Sequence, residues 1–147
     1  MGPLDDGVYA FDGEHDGRSD QNRNEKLDRS PASLSKKNVL MVSFVNQMTA
    51  SVFDIRPADL VQPDRGVRRI ARARQIAMYL MHTSLSLSYV EIARLFERDR
   101  TTVSYACKVI EELRDIPATD DKLIEMERTL AIVLELAANP VLENCDE

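Results

Sequence analysis

Between Arg98 and Lys108 the chain sets Arg98, Asp99, Arg100, Thr101, Thr102, Tyr105 and Lys108 around the apolar positions Val103, Ala106 and Cys107. A helix over this stretch turns the apolar set to one side and the polar set to the other. Guanidinium, carboxylate and hydroxyl groups in such an array are suited to the edges of base pairs. Arginine spans guanine O6 and N7, a carboxylate accepts from the cytosine amino group, and a threonine methyl packs on the thymine methyl. The N-terminus of such a helix also favours phosphate. Other chemistries are poorly served. His15, His82, Cys107 and Cys145 lie far apart without metal-ligand or Cys-x-x-Cys spacing, so neither a metal site nor a disulfide framework is expected. No Ser/His/Asp arrangement can be argued. The close carboxylates, Glu111-Glu112 and Asp120-Asp121, are neighbours on exposed stretches, and neither an enzyme nor a cofactor is expected.

Those polar residues need a platform. Ser88-Tyr89-Val90-Glu91 before an apolar run is a capping-box signature, and it predicts a short helix with Ile92, Ala93, Leu95 and Phe96 inward. After Glu97-Arg98-Asp99, with Asp99 placed to cap, a second helix carries Val103, Ala106, Cys107, Ile110 and Leu113 at helical intervals. Two short helices joined in this way, about 88–96 and about 100–114, describe a helix-turn-helix.

Upstream, Ser35 can cap a helix in which Val39, Leu40, Phe44, Val45, Met48, Val52 and Phe53 recur at helical intervals, and Arg56-Pro57 breaks it. A short turn of helix over 57–61 follows, then a loop, Pro63-Asp64-Arg65-Gly66. A third helix spans about 67–84, with Ile70, Ala73, Ala77, Leu80 and Met81 on one side and Arg68, Arg72 and Gln75 largely on others. Downstream, Pro117 ends the second recognition-type helix, Thr119 can cap the next, and Leu123, Met126, Leu130, Val133 and Ala137 form a last amphipathic stripe. Met41, Met48, Met78, Met81 and Met126 read as core filling. No strand pattern appears. The expected fold class is all-α, a small multi-helix domain over 35–138 between disordered tails at 1–34 and 139–147.

Composition bounds the alternatives. The 147 residues amount to one domain, apolar residues are 44% and charged residues 30%, and aromatics are only 5% with no Trp. That disfavours binders of single strands that stack bases on aromatic platforms. No apolar run approaches the roughly 18 residues of a membrane span, and the acidic N-terminus has no apolar signal core, so a cytoplasmic, nucleoid-associated protein with no membrane partner is expected. The net charge of −6 argues against nucleic acid only as an average. Residues 65–108 hold nine bases, Arg65, Arg68, Arg69, Arg72, Arg74, Arg94, Arg98, Arg100 and Lys108, against Glu91, Glu97 and Asp99, a net +6. Residues 115–147 carry nine acids against Lys122 and Arg128, a net −7. A basic head lies between acidic ends.

The run from Arg69 to Leu113 resembles the C-terminal DNA-binding domain of the bacterial replication initiator DnaA. The matches are Ala71-Arg72 with Arg74-Gln75, Ala77-Met78-x-Leu80, Ser88 with Glu91-Ile92, Phe96, and Arg98-Asp99-x-Thr101-Thr102-Val103 followed by Ala106-Cys107. Weaker similarity runs from about Asn38 to about Leu130. The resemblance implies a helical domain that binds a short asymmetric duplex. Asp99, Arg100, Thr101 and Thr102 then sit where the family reads bases, and Arg74, Gln75, His82, Tyr89 and Val90 where it touches the DNA backbone. Arg72, Ser88, Arg98 and Lys108 join the candidates for backbone contact. Four departures accompany it. A strict alignment puts Gly66 where the family has its minor-groove arginine, leaving Arg65 or Arg68 for that role. The turn has Glu97 where the family has two glycines, one residue shorter. Arg100 stands where the family has histidine, which points to a site other than the initiator's own. No glycine follows Gly66 and no G-x-x-x-x-G-K-[ST] occurs, so neither the family's ATPase nor a nucleotide partner is expected.

The simpler readings are a structural helical hairpin, a solvated basic face, Cys107 as a small core residue and His82 as a surface histidine. Weighed against them, the expected function is sequence-specific binding of double-stranded DNA, as a transcriptional regulator or a modulator of replication initiation. The alternative is a helical adaptor for a protein partner without DNA contact. The acidic C-terminal helix reads as plain surface, a dimer or protein contact, or a screen of the basic face.

Overall fold

The computed structural model describes residues 34–62 and 67–139; the two expected tails and the Pro63–Gly66 loop lie outside the described residues, apart from Leu34 and Asn139. Six α-helices follow in chain order: α1 Lys36–Phe53, α2 Pro57–Leu60, α3 Arg68–Thr83, α4 Tyr89–Phe96, α5 Arg100–Leu113 and α6 Pro117–Ala137. No strand occurs among the described residues. The all-α expectation and the order of its helices are those of the structure.

Local chemistry accounts for most boundaries. Ser35 Oγ accepts from the Asn38 N–H at 3.1 Å and opens α1. That helix closes on Asp54 in the left-handed region, φ 56°, with Ile55 N–H bonding to the Ala50 carbonyl at 3.0 Å. Proline stands at the first position of both α2 and α6, where its missing N–H costs nothing. Pro117 therefore starts α6 instead of ending the preceding element, and Thr119 lies inside the first turn, not at the cap as expected. Asp99 occupies the cap position of α5 with extended backbone, yet its side chain makes no capping bond.

The helices assemble around α3, which packs against α1, α2, α4 and α5, while α6 lies against α1. Ala73, Ala77, Met78, Leu80 and Met81 of α3 are buried as expected, but Ile76 and Tyr79 are buried too. A helix with neighbours on several sides has no free face for the two-sided pattern to mark. Phe96, Leu60, Ile92, Ile110, Val103, Leu123 and Leu130 complete the centre. The buried face of α1 is Met41, Val42, Val45, Thr49 and Ala50, and Val39 and Leu40 are 51% and 70% exposed, opposite to expectation. That helix is apolar on more than one side, so contact with α3, not periodicity, selects the inner face. On α6, Leu123, Met126 and Leu130 are buried, whereas Val133 is half-buried and Ala137 exposed, because the last turns run past the core.

Candidate functional site

The sequence-selected residues converge on α4, α5 and the turn between them. A reciprocal capping box opens α4: Glu91 N–H donates to Ser88 Oγ at 3.1 Å and Ser88 N–H to Glu91 Oε2 at 2.9 Å. The helix ends in a turn where Arg98 N–H reaches the Ala93 carbonyl at 2.9 Å and Glu97 N–H the Arg94 carbonyl at 3.3 Å. This pattern requires a left-handed residue after the helix, and Glu97 takes it at φ 53°. A single left-handed residue thus does the work of the shorter turn. Ile92, Ala93 and Phe96 of α4 and Val103, Ala106, Cys107 and Ile110 of α5 are buried, fixing the second helix on the first. The first turn of α5 is left outside: Asp99, Thr101, Thr102 and Lys108 are exposed and Arg100 and Tyr105 half-buried.

Around that turn lie the other candidates. His82, at the end of α3, directs Nδ1 to the Leu87 carbonyl at 2.9 Å; a carbonyl only accepts, so Nδ1 donates. Its ring packs on Tyr89 with centroids 4.5 Å apart, and the Arg100 guanidinium stands over the same Tyr89 ring at 5.9 Å from the centroid. Burial raises the Tyr89 hydroxyl above its usual range. Ser88 is exposed and Val90 half-buried at the start of α4. On α3, Arg68 is exposed, and Arg72 donates to Gln75 Oε1 at 2.7 Å, both residues half-buried. Arg65 lies outside the described residues.

Two arginines are held by carbonyls of the fold, and one of them faces inward. Arg74, assigned by resemblance to the DNA backbone, is 7% exposed and turned inward. Its Nε donates to the Leu60 carbonyl at 2.7 Å and its Nη2 lies 3.5 Å from the Asp59 carbonyl. These are carbonyls of the last turn of α2, where helical N–H donors run out, although the Asp59 carbonyl also accepts from the Gln62 N–H at 3.5 Å. A buried guanidinium supplies the donors. Arg98 Nη2 donates to the Gln62 carbonyl at 2.8 Å, so the turn of the helix pair is tied to the segment that enters the basic loop.

Sequence reasoning missed a network at the far end of α5. Arg114 Nε meets Asp120 Oδ1 at 2.6 Å, Nη2 meets Glu127 Oε2 at 3.0 Å, and Nη1 meets the Tyr79 hydroxyl at 3.1 Å. That hydroxyl donates to Glu111 Oε2 at 3.0 Å. The hydrogen bond to Glu127, foremost, keeps Arg114 charged, and burial pushes the Tyr79 hydroxyl up. Three helices are thereby joined at one guanidinium. Its partners lie across a helix break, and no periodicity announces them. Cys107 is buried, and burial pushes its thiol up to about 11, the state of an inert core residue. Among the described residues, no group of three or more His, Cys, Asp or Glu could hold a metal ion, and no helix is long and apolar enough to cross a membrane.

This geometry has counterparts among known proteins. Residues 42–110 match the family model described as the bacterial dnaA protein helix-turn-helix. The chain is similar to the chromosomal replication initiator protein DnaA of Rickettsia canadensis, 32% identical over 106 residues, 71% of this chain and 21% of that protein. It is 39% identical over 80 residues to the DnaA of Rickettsia bellii, covering 54% of this chain and 17% of the relative. Identity to the DnaA of a Ruegeria species is 38% over 90 residues, 60% of this chain and 19% of the relative. The chain thus spans about a fifth of the length of the curated relatives it matches. Over residues 42–110, a span that takes in most of α1 and most of α5, this chain matches the DnaA helix-turn-helix family.

Proposed function

We propose that this chain binds double-stranded DNA sequence-specifically, with the first turn of α5 in the major groove. The observation that carries the reading is the first turn of α5, which presents Asp99, Arg100, Thr101 and Thr102 outward while Val103, Ala106 and Cys107 lock its back against the core. Asp99 makes no capping bond, and its carboxylate is exposed at the position from which a cytosine amino group can donate. Arg100 pairs with guanine in a bidentate manner. Arg68, Arg72, Gln75, His82, Ser88, Tyr89, Val90, Arg98 and Lys108 flank this edge and contact the sugar-phosphate backbone. Arg65 or Arg68 enters the minor groove. Arg74 acts from within, holding the end of α2. The relatives are named as replication initiators, which supports a role at initiator-type sites, as a modulator of replication initiation or a transcriptional regulator.

Selection from a randomised duplex pool tests this. A motif emerges, and Arg100→His changes the preferred base at one position, at about 1 to 3 kcal/mol. Failure to enrich any motif, together with negligible affinity for random duplex at low salt, overturns the reading. A second reading is favoured by Ile132 and Leu136, 61% and 50% exposed beyond the core end of α6. There the acidic helix carries a protein contact, and the solution mass tests it for a second copy of this chain.

A further inference from the structure

Tyr89 opens α4, beside the first turn of α5, and three other side chains approach its own. From α3, His82 packs on one side of the ring at 4.5 Å, held there by its bond to the Leu87 carbonyl. From the middle of α5, the Cys107 thiol is near enough to the phenol hydroxyl for the two groups to perturb each other's ionisation. From the N-terminus of α5, the Arg100 guanidinium stands over the ring. Of these, His82 is half-buried and Cys107 is only 5% exposed. Their packing restricts how the ring can turn. Arg100 is half-buried, like His82, and stands at the exposed first turn of α5.

An arginine on a helix surface loses rotamer freedom when it is fixed on a base edge. A guanidinium already held over a packed ring has less to lose. Bidentate pairing also depends on the plane of the fork, which the ring restricts. We propose that Tyr89 is a positioning residue that sets base preference through Arg100, holding the guanidinium in its reading orientation before DNA arrives, and does not act as a backbone contact alone. This rests on the reading of α5 as the base-reading helix.

The experiment uses the full chain and synthetic duplexes: the site enriched by selection and its single-base-pair variants. Binding of wild type, Tyr89→Leu and Tyr89→Phe is measured at one salt concentration and normalised to the folded fraction. Tyr89→Leu lowers discrimination at one base pair by about two- to fivefold, the range of an exposed cation–ring contact, and leaves the other positions unchanged. Tyr89→Phe, which keeps the ring, restores that discrimination. In an Arg100→Ala background, Tyr89→Leu has no further effect on the profile. Equal weakening on every duplex, an unchanged profile, or the same loss in the Arg100→Ala background overturns the proposal. Should Tyr89→Leu not fold, the position-specific effect is read from Tyr89→Met, with the same outcomes. Failure of wild type to prefer any duplex instead overturns the parent reading, so the two failures are distinct.

Discussion

Arg74 was legible as a cation in a basic run, and its direction was not. Nothing in the spacing of Arg68, Arg69, Arg72 and Arg74 distinguishes a guanidinium facing phosphate from one facing the carbonyls of α2. The inward placement has a consequence that stability measurements detect. Arg74→Ala leaves the buried Leu60 carbonyl without its donor and lowers unfolding free energy by about 1 to 3 kcal/mol, read from the urea midpoint. Under the proposed function it leaves the salt slope of DNA binding unchanged, whereas Arg68→Ala reduces that slope by about 1. Glu97 is the converse case, an ordinary residue in a left-handed conformation. Glu97→Gly removes a cost of about 1 to 2 kcal/mol and loosens the unfolded chain, for a net gain of about 0.5 to 1 kcal/mol. Thermal unfolding checks the sign. Cys107 is shielded by burial, so in a Cys145→Ser background a disulfide reagent at neutral pH modifies it only through unfolding. The folded thiol titrates above its ordinary value, so the stability it contributes is complete below about 9 and is lost as pH rises through about 11. Cys107→Ala flattens stability across that window.

At the scale of elements, α4 and α5 were the most readable part of the chain. The capping box and the apolar stripe are local patterns, and local hydrogen bonds realise them. Ser88→Ala removes one arm of the box and lowers stability by about 0.5 to 2 kcal/mol, checked by chemical denaturation. Reading failed on α1 and at the start of α6. On α1 two apolar faces compete, and the choice belongs to the neighbouring helix. At Pro117 one residue type both stops and starts helices, and the N-terminal role prevails because the missing N–H is unneeded there. At the end of α5, Arg114 joins α6 and α3, binding Asp120, Glu127 and the hydroxyl of Tyr79. Such a partly buried network is worth more than any single surface pair, and its members are not additive.

At the scale of the whole molecule, charge is segregated along the chain. The +6 of residues 65–108 and the −7 of residues 115–147 cancel in the total, yet the proposed function depends on their separation. Arg74 belongs to the first count while facing inward, so fewer charges line the surface than the tally implies. Affinity for duplex is expected to fall with salt by about 0.9 in log-log slope for each phosphate neutralised. A titration between low and physiological salt reads that number directly, and a flat response argues against the DNA-binding reading.

Helix content, helix order, the turn before Arg98-Asp99 and the identity of the polar residues on α5 were determined by the sequence alone, because capping, proline geometry and apolar period act over a few neighbouring residues. The inner face of α1, the inward turn of Arg74, the hub at Arg114 and the stacking of His82, Tyr89 and Arg100 were decided only by tertiary structure. Each depends on which groups meet from different helices, and an unpaired carbonyl or carboxylate takes whichever donor the packing brings within reach.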